Sequence, residues 1–425
     1  MLNNYNIYQN EGLFIGISTI LILFFILFIV TRFTFTYLNH PSLLFISYWF
    51  GATFLPILLF PNDYFKIFII LLILVFCFAF YIGSFIIHTK TNFTDHPPNN
   101  INNKLLQVLP KLIIGSSCLG FSLVIITIYS AGYNFLSFGS LEKLALMASD
   151  FAISRYSGSY KEPRLWSVLL PFVYLSPLLS GILYAENKRK RNLILLFLSL
   201  IPAISFTLIL TQRGITFFAL FLLLSSILAT KVFLRQEIVL NFSLVIRIVS
   251  IIMFGIFILF FISMLRVGAT DFDTMLSLSG KVYSILFTHI SNLSHWYNNM
   301  PDYSIGFGMN NFAGIADILK IKPRQLGLYN EFNNFSFGET SNLYSIFRPT
   351  IEDLSLPGSI LFFFLLGFVV SIAYKKVQNG KISFIPILSI FYAYVLESIV
   401  TSITIFNTIL LSYFMLYVVI KYYSK

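Results

Sequence analysis

GETSNLYSIFRPTIEDLSLPG, residues 338–358, runs directly into SILFFFLLGFVVSIAY, residues 359–374. The first stretch carries Glu339, Asn342, Tyr344, Arg348, Glu352 and Asp353. Four of these six are charged, in a chain where charged residues make up only 11%. The second stretch has no charge at all. A dense polar segment that ends where a bilayer-length apolar run begins reads as the rim of a site at a membrane surface.

The rest of the chain agrees with a membrane setting. Of its 425 residues 57% are hydrophobic, and the mean hydropathy is +0.83. That exceeds what a soluble domain buries. Apolar runs of membrane-crossing length recur, without the alternation of a membrane β-barrel. The first run, Leu13 to Val30, has no basic residue before it and no small-residue cleavage site after it, so it reads as a retained helix. Cys77 and Cys118 both lie inside apolar runs, which excludes a disulfide framework or a zinc motif built on cysteine. The expected fold is all-α and polytopic, with about eleven spans at 13–31, 42–60, 64–87, 111–131, 166–185, 192–210, 214–230, 244–265, 357–374, 383–400 and 402–420. Asn39-His40-Pro41, Pro61-Asn62-Asp63 and the Asp95–Asn100 run supply helix breaks between them. Three regions follow: helices 1–8 over 13–265, a large loop over 266–356, and helices 9–11 over 357–420.

The net charge of +11 is explained by the positive-inside bias and needs no nucleic-acid partner. With the N-terminus outside and the C-terminus inside, 16 of the 28 basic residues are cytoplasmic, among them Lys188 to Arg191, Lys375 and Lys376. Asp95, Glu186 and Glu237 are the acids expected beside them. The other 12 basic residues share the outer side with 13 acidic ones. Both long loops fall outside. In the 132–165 loop, Leu141 to Ile153 has helical spacing and reads as an interfacial helix. The 266–356 loop is too long for a connector and too aromatic for disorder, so it reads as a folded cap.

The candidate chemistry gathers on that outer side. Arg213, Arg266 and Arg348 stand at three helix ends. They either meet over one cavity and neutralise a pyrophosphate, or each snorkels to lipid phosphate or pairs with a neighbouring acid. Glu339, Glu352, Asp353, Asp271 and Asp273 are candidate bases for a sugar hydroxyl, or else salt-bridging and capping residues. His289 and His295 are a candidate base or phosphate contact, and their spacing of six argues against a shared metal site. Trp296 and the neighbouring tyrosines suit stacking on a sugar or an ordinary interfacial belt. Glu397, inside a span, reads as a buried structural acid or a proton site.

Thr340-Ser341-Asn342-Leu343-Tyr344, Phe347-Arg348-Pro349 and Asp353-Leu354-Ser355-Leu356-Pro357-Gly358, followed by a span, resemble the C-terminal signature of Wzy-type oligosaccharide repeat-unit polymerases. Asn342, Tyr344, Asp353 and Gly358 match that pattern. Leu354 and Ser355 depart from it, with Ser355 standing where the pattern has glycine. Thr211-Gln212-Arg213-Gly214 resembles the Ser-Arg-Gly that opens a middle helix of the same family. The resemblance implies a fold similar to the C-type membrane glycosyltransferases. It also implies a multi-pass protein of the bacterial inner membrane whose active face is periplasmic. The implied activity joins undecaprenyl-pyrophosphate-linked repeat units in O-antigen or capsule biosynthesis, with no cofactor or metal. On this basis Arg213, Arg266, Arg348, Asp353, Glu339 and His295 are expected to be catalytic, and Asn342, Tyr344, Arg324, His289 and Trp296 to bind substrate. A flippase and a chain-length regulator are the implied neighbours. The rival readings are an O-antigen ligase acting on lipid A core and a lipid-linked glycan flippase.

Overall fold

The computed structural model describes residues 2–35, 37–88, 100–133, 140–159, 162–236, 238–239, 241–268, 273–274, 278–300, 305–321, 329, 331–335 and 340–424. The described chain is helical almost throughout. The elements in order are α1 (Leu2–Thr34), α2 (Pro41–Leu59), α3 (Ile67–His88), α4 (Asn103–Ser130), α5 (Leu141–Tyr156), α6 (Trp166–Glu186), α7 (Lys190–Leu210), α8 (Arg213–Phe233) and α9 (Phe242–Arg266). A cap follows with α10 (Ser279–Leu286), α11 (His289–Asn298), α12 (Ala313–Ile318) and a two-residue antiparallel pair, Asn333–Asn334 against Thr340–Ser341. The chain closes with α13 (Phe347–Gln378), α14 (Ile385–Glu397) and α15 (Asn407–Tyr423).

A helix lies over each of the eleven expected spans. Among the described residues, eight are long and apolar enough to cross a membrane: α1 to α4, α6 to α8 and α13. The molecule is thus an all-α protein with the character of a polytopic membrane protein. Two of the expected breaks fall where the turn chemistry puts them, at Asn39-His40-Pro41 and Pro61-Asn62-Asp63, and the third, apart from Asn100, lies outside the described residues. The His40 ring accepts a hydrogen bond from Ser42 N, with Pro41 in the first turn of α2. Asn102 and Ser140 cap α4 and α5 in the same way. The helical spacing from Leu141 to Ile153 is realised as α5, which packs on α7 and α9.

Apolar helices in lipid gain little from hydrophobic burial against each other, so close backbone approach and buried hydroxyls decide which ones pair. α3 lies along α13 through two glycines. A Cβ on Gly83 would stand 2.0 Å from Phe364 O, and one on Gly367 would stand 2.2 Å from Phe80 O. Ser84 donates to Gly367 O at the same crossing. Serine pairs join other helices: Ser117 with Ser176 at 2.6 Å, Ser180 with Ser199 at 2.8 Å, and Ser225 with Ser389 at 2.9 Å.

The chief departure from expectation is at the start of α13. The helix begins at Phe347, ten residues before the expected span, and breaks at Ser355, whose φ is 60° and ψ 178°. Pro357 has no N–H for the Asp353 carbonyl, which leaves that carbonyl without its helical partner at the break. The cap supplies the missing donors. Gly306 N bonds Glu352 O at 3.0 Å, and Phe307 N bonds Asp353 O at 2.9 Å. The broken helix is therefore the socket into which the cap docks. Phe347 anchors the socket below, against Trp49, Phe76 and Phe363.

Candidate functional site

Two groups of expected site residues emerge at the cap end of the bundle, and they are separate. The first surrounds Arg348, at the second position of α13. Its side chain is only 5% exposed. The guanidinium lies 3.6 Å from the centroid of the Tyr329 ring, 4.2 Å from Tyr344 and 5.2 Å from Trp296. Its Nε donates to Glu352 Oε1 at 2.8 Å, and Nη1 is 2.6 Å from Glu331 Oε2. The planar cation fills an aromatic box and is neutralised by two carboxylates.

The walls of the box are tied to one another. Tyr329 donates to Glu352 Oε2, Tyr344 donates to Glu331 O, and Asn342 donates to Tyr329 O. Asn333 links Tyr344 to Asn292, which in turn donates to Leu343 O. Burial raises the pKa of both the Tyr329 and the Tyr344 hydroxyl, which keeps them as neutral donors. Arg348, Asn342, Tyr344 and Trp296 thus come together, as the short spacing of 342, 344 and 348 invites. They meet as partners of one another, clamping the cap to α13.

Asp353, one turn on, faces the other way. It is fully buried, and its carboxylate accepts from Asn310 N, from Asn311 N at 2.8 Å and from the Asn311 side chain at 3.0 Å. Gly306 must be glycine beside it, because a Cβ there would stand 2.4 Å from Asp353 Oδ1. In this arrangement the carboxylate caps a loop and is closed to a substrate hydroxyl. His289 is likewise internal. Its Nε2 lies 3.0 Å from the Ala52 carbonyl, which can only accept, so Nε2 carries the proton. Burial draws its pKa down to about 4. His295 is less enclosed, beside Tyr64 and Phe335; burial lowers its pKa and Asp63 opposes the shift. Glu339, Arg324 and Asp271 lie outside the described residues.

The second group is built on arginine. Arg213 opens α8, and Arg266 closes α9. Between them comes Arg155, in the last turn of α5, within electrostatic reach of both. Arg155 also donates to the carbonyl of Leu210, the last residue of α7. All three are half-buried. The Nε of Arg213 is buried with no hydrogen-bond partner, an arrangement that costs about 1–3 kcal/mol. The turn that presents Arg213 is strained. Thr211 takes the left-handed conformation at φ 51°, ψ 26°, which is uncommon for a β-branched residue. Thr207 and Thr216 hold the turn through hydrogen bonds to Gln212 O and to each other. Gln212 provides no side-chain cap, so the α8 N-terminus adds its own positive end to the cluster. Arg155 and Arg266 have further contacts of their own, while the buried, unpartnered Arg213 Nε beside an uncapped helix start is an arrangement suited to an anion.

Among the described residues the partners of Arg348 are Tyr329, Tyr344, Trp296, Glu331 and Glu352, whereas Arg213 and Arg266 each lie within electrostatic reach of Arg155. Sequence reasoning passed over Arg155 because nothing local marks it. Its one signal was a place in the last turn of an amphipathic segment. Among the described residues no group of three or more His, Cys, Asp or Glu side chains converges to hold a metal ion. No protein-family model matches the chain, and neither does a curated protein or a solved structure.

Proposed function

We propose that the protein is a glycan polymerase of the bacterial inner membrane, with eleven spans and a fold similar to C-type glycosyltransferases. It joins undecaprenyl-pyrophosphate-linked oligosaccharide repeat units at the periplasmic face, with the N-terminus outside and the C-terminus inside. The observation that carries this reading is the arginine cluster of Arg155, Arg213 and Arg266 at the cap end of the apolar bundle. A pyrophosphate held there satisfies the unpaired Nε of Arg213.

In the proposed reaction an acceptor sugar hydroxyl attacks the anomeric carbon of the donor. The new glycosidic bond forms as the bond to the pyrophosphate oxygen breaks. The hydroxyl proton passes to a base, and undecaprenyl pyrophosphate leaves with its charge neutralised by the guanidiniums. His295 and Glu339 remain the candidate bases, since Asp353 is committed to the cap. Arg348 acts at a distance, by holding the cap over the site. A flippase that delivers the units and a regulator of chain length are the proposed neighbours.

The test is the surface polysaccharide of cells lacking the gene. Deletion leaves single-unit polysaccharide, and Arg213→Ala does the same at normal protein level, because removing one such charge-stabilising donor costs about 100- to 1000-fold in rate. A full ladder from Arg213→Ala would overturn the site. Loss of even the single-unit species on deletion would point to a ligase or a flippase instead.

A further inference from the structure

A cavity of about 1150 Å³ lies between the cap-end parts of α1, α2 and α3, and none of its lining belongs to α5, α7, α8 or α9, which carry the arginine cluster. Its walls are Ile17, Leu21, Phe54, Ile57, Leu58 and Phe68, with Leu58 and Phe68 exposed at the mouth. At its edge α1 and α3 close together at a glycine: a Cβ on Gly16 would stand 2.8 Å from Ile67 Cδ1. At one end the lining turns polar, through Asn62, Asp63, Tyr64 and Lys66.

The two charges on that rim are treated differently. Asp63 accepts a hydrogen bond from the Tyr283 hydroxyl. Lys66 Nζ has neutral contacts, the Asn298 side-chain carbonyl at 3.4 Å and the Tyr297 ring at 5.0 Å. Its backbone N–H is fixed by Ser294. An apolar cleft whose polar end offers the Lys66 ammonium with neutral contacts, beside an Asp63 already engaged by Tyr283, is complementary to an amphiphile with an anionic head. The volume exceeds the range of about 300–1000 Å³ that compact ligands occupy, as a long chain requires.

We propose that this cleft holds the isoprenoid chain of a polyprenyl diphosphate lipid, with its phosphate end at Lys66. The assignment rests on the polymerase reading, in which two lipid-linked substrates must be bound at once. One diphosphate occupies the arginine cluster, and the chain of the second lipid enters between α1, α2 and α3. Lys66 and the Tyr64–His295 pair then stand where the second head group meets the cap.

The test is photolabelling of the full-length protein in phosphatidylethanolamine–phosphatidylglycerol nanodiscs by a polyprenyl diphosphate carrying a diazirine on its chain. Labelled peptides are expected to include residues 17–21 and 54–58. Unlabelled polyprenyl diphosphate suppresses that labelling, and added phospholipid does not. Lys66→Gln lowers it by up to about fivefold, the worth of one partly exposed ion pair, and Leu58→Trp fills the mouth and removes it. Labelling that phospholipid competes away, or labelling confined to α5 and α7–α9, would overturn the inference. The wild-type map stands whether or not a variant folds. Cleft labelling in a protein whose deletion leaves the polysaccharide ladder intact would sink the polymerase reading alone. A collapsed ladder with an unlabelled cleft would sink the cleft alone.

Discussion

Arginine at a functional anion site and arginine in a structural network respond in opposite ways to removal of charge, and Arg213 decides between them. The perturbation is Arg213→Met, which keeps the unbranched stem and deletes the guanidinium. In the folded protein the Arg213 Nε is buried without a partner, and Arg155 repels the head group. Deleting an unsatisfied buried donor is worth about 1–3 kcal/mol, and relief of the like-charge repulsion adds to it. The variant is therefore expected to be more stable than wild type, even as polymer formation collapses. At roughly 1 °C per kcal/mol for a chain of this length, the thermal midpoint in nanodiscs rises by about 1–3 °C. Inorganic pyrophosphate gives an independent reading. Saturation to about a hundredfold over its Kd stabilises wild type by about 2.7 kcal/mol, and Arg213→Met loses most of that shift. A fall in midpoint for Arg213→Met, or an equal pyrophosphate shift in both proteins, would refute the assignment of the cluster as an anion site.

Three further outcomes follow from the geometry. Arg348→Lys keeps the charge but loses the planar fork and the stacking on Tyr329 and Tyr344; it is expected to cost about 2–4 kcal/mol and to make the cap protease-sensitive, and a loss under about 0.5 kcal/mol would mean that the box does not clamp the cap. Ser355→Gly relieves a backbone conformation that belongs to glycine, worth about 1–3 kcal/mol, less the greater chain entropy of glycine when unfolded, so a modest rise in thermal midpoint is expected and a fall would contradict the strain. For His289, the unfolded chain takes up a proton near pH 6.5 and the folded one at about 4; stability therefore falls as pH drops through that window, by up to about 3 kcal/mol, and His289→Gln should flatten the pH profile of the unfolding midpoint.

The helical membrane character was legible because hydropathy adds up along the chain, and each long apolar run must satisfy its own backbone. The turn at Asn39-His40-Pro41 was legible for a local reason too: His40 caps α2 through an atom two positions away, and Pro41 opens the helix. The density of polar residues from Asn342 to Asp353 marked a structured junction, and residues that close in sequence were bound to meet. Their orientation was not bound in the same way. Arg348 and Asp353 both precede the break at Ser355 and stand about 140° apart on one helical segment; the fold of the cap decides that Asn310 and Asn311 meet Asp353 while Tyr329, Tyr344 and Trp296 meet Arg348.

Only the tertiary structure decided which arginines come near one another. Arg155 stands 58 residues before Arg213 and 111 before Arg266. Their meeting depends on α5 lying against α7 and α9, and on the wider bundle set by single glycines and serines such as Gly83, Gly367, Ser117 and Ser176. In an apolar medium every face of a helix is equally greasy, so hydropathy carries no record of which faces approach. Small residues let backbones close to contact, buried hydroxyls fix the pairing, and that pairing carries Arg155, Arg213 and Arg266 to one end of the molecule.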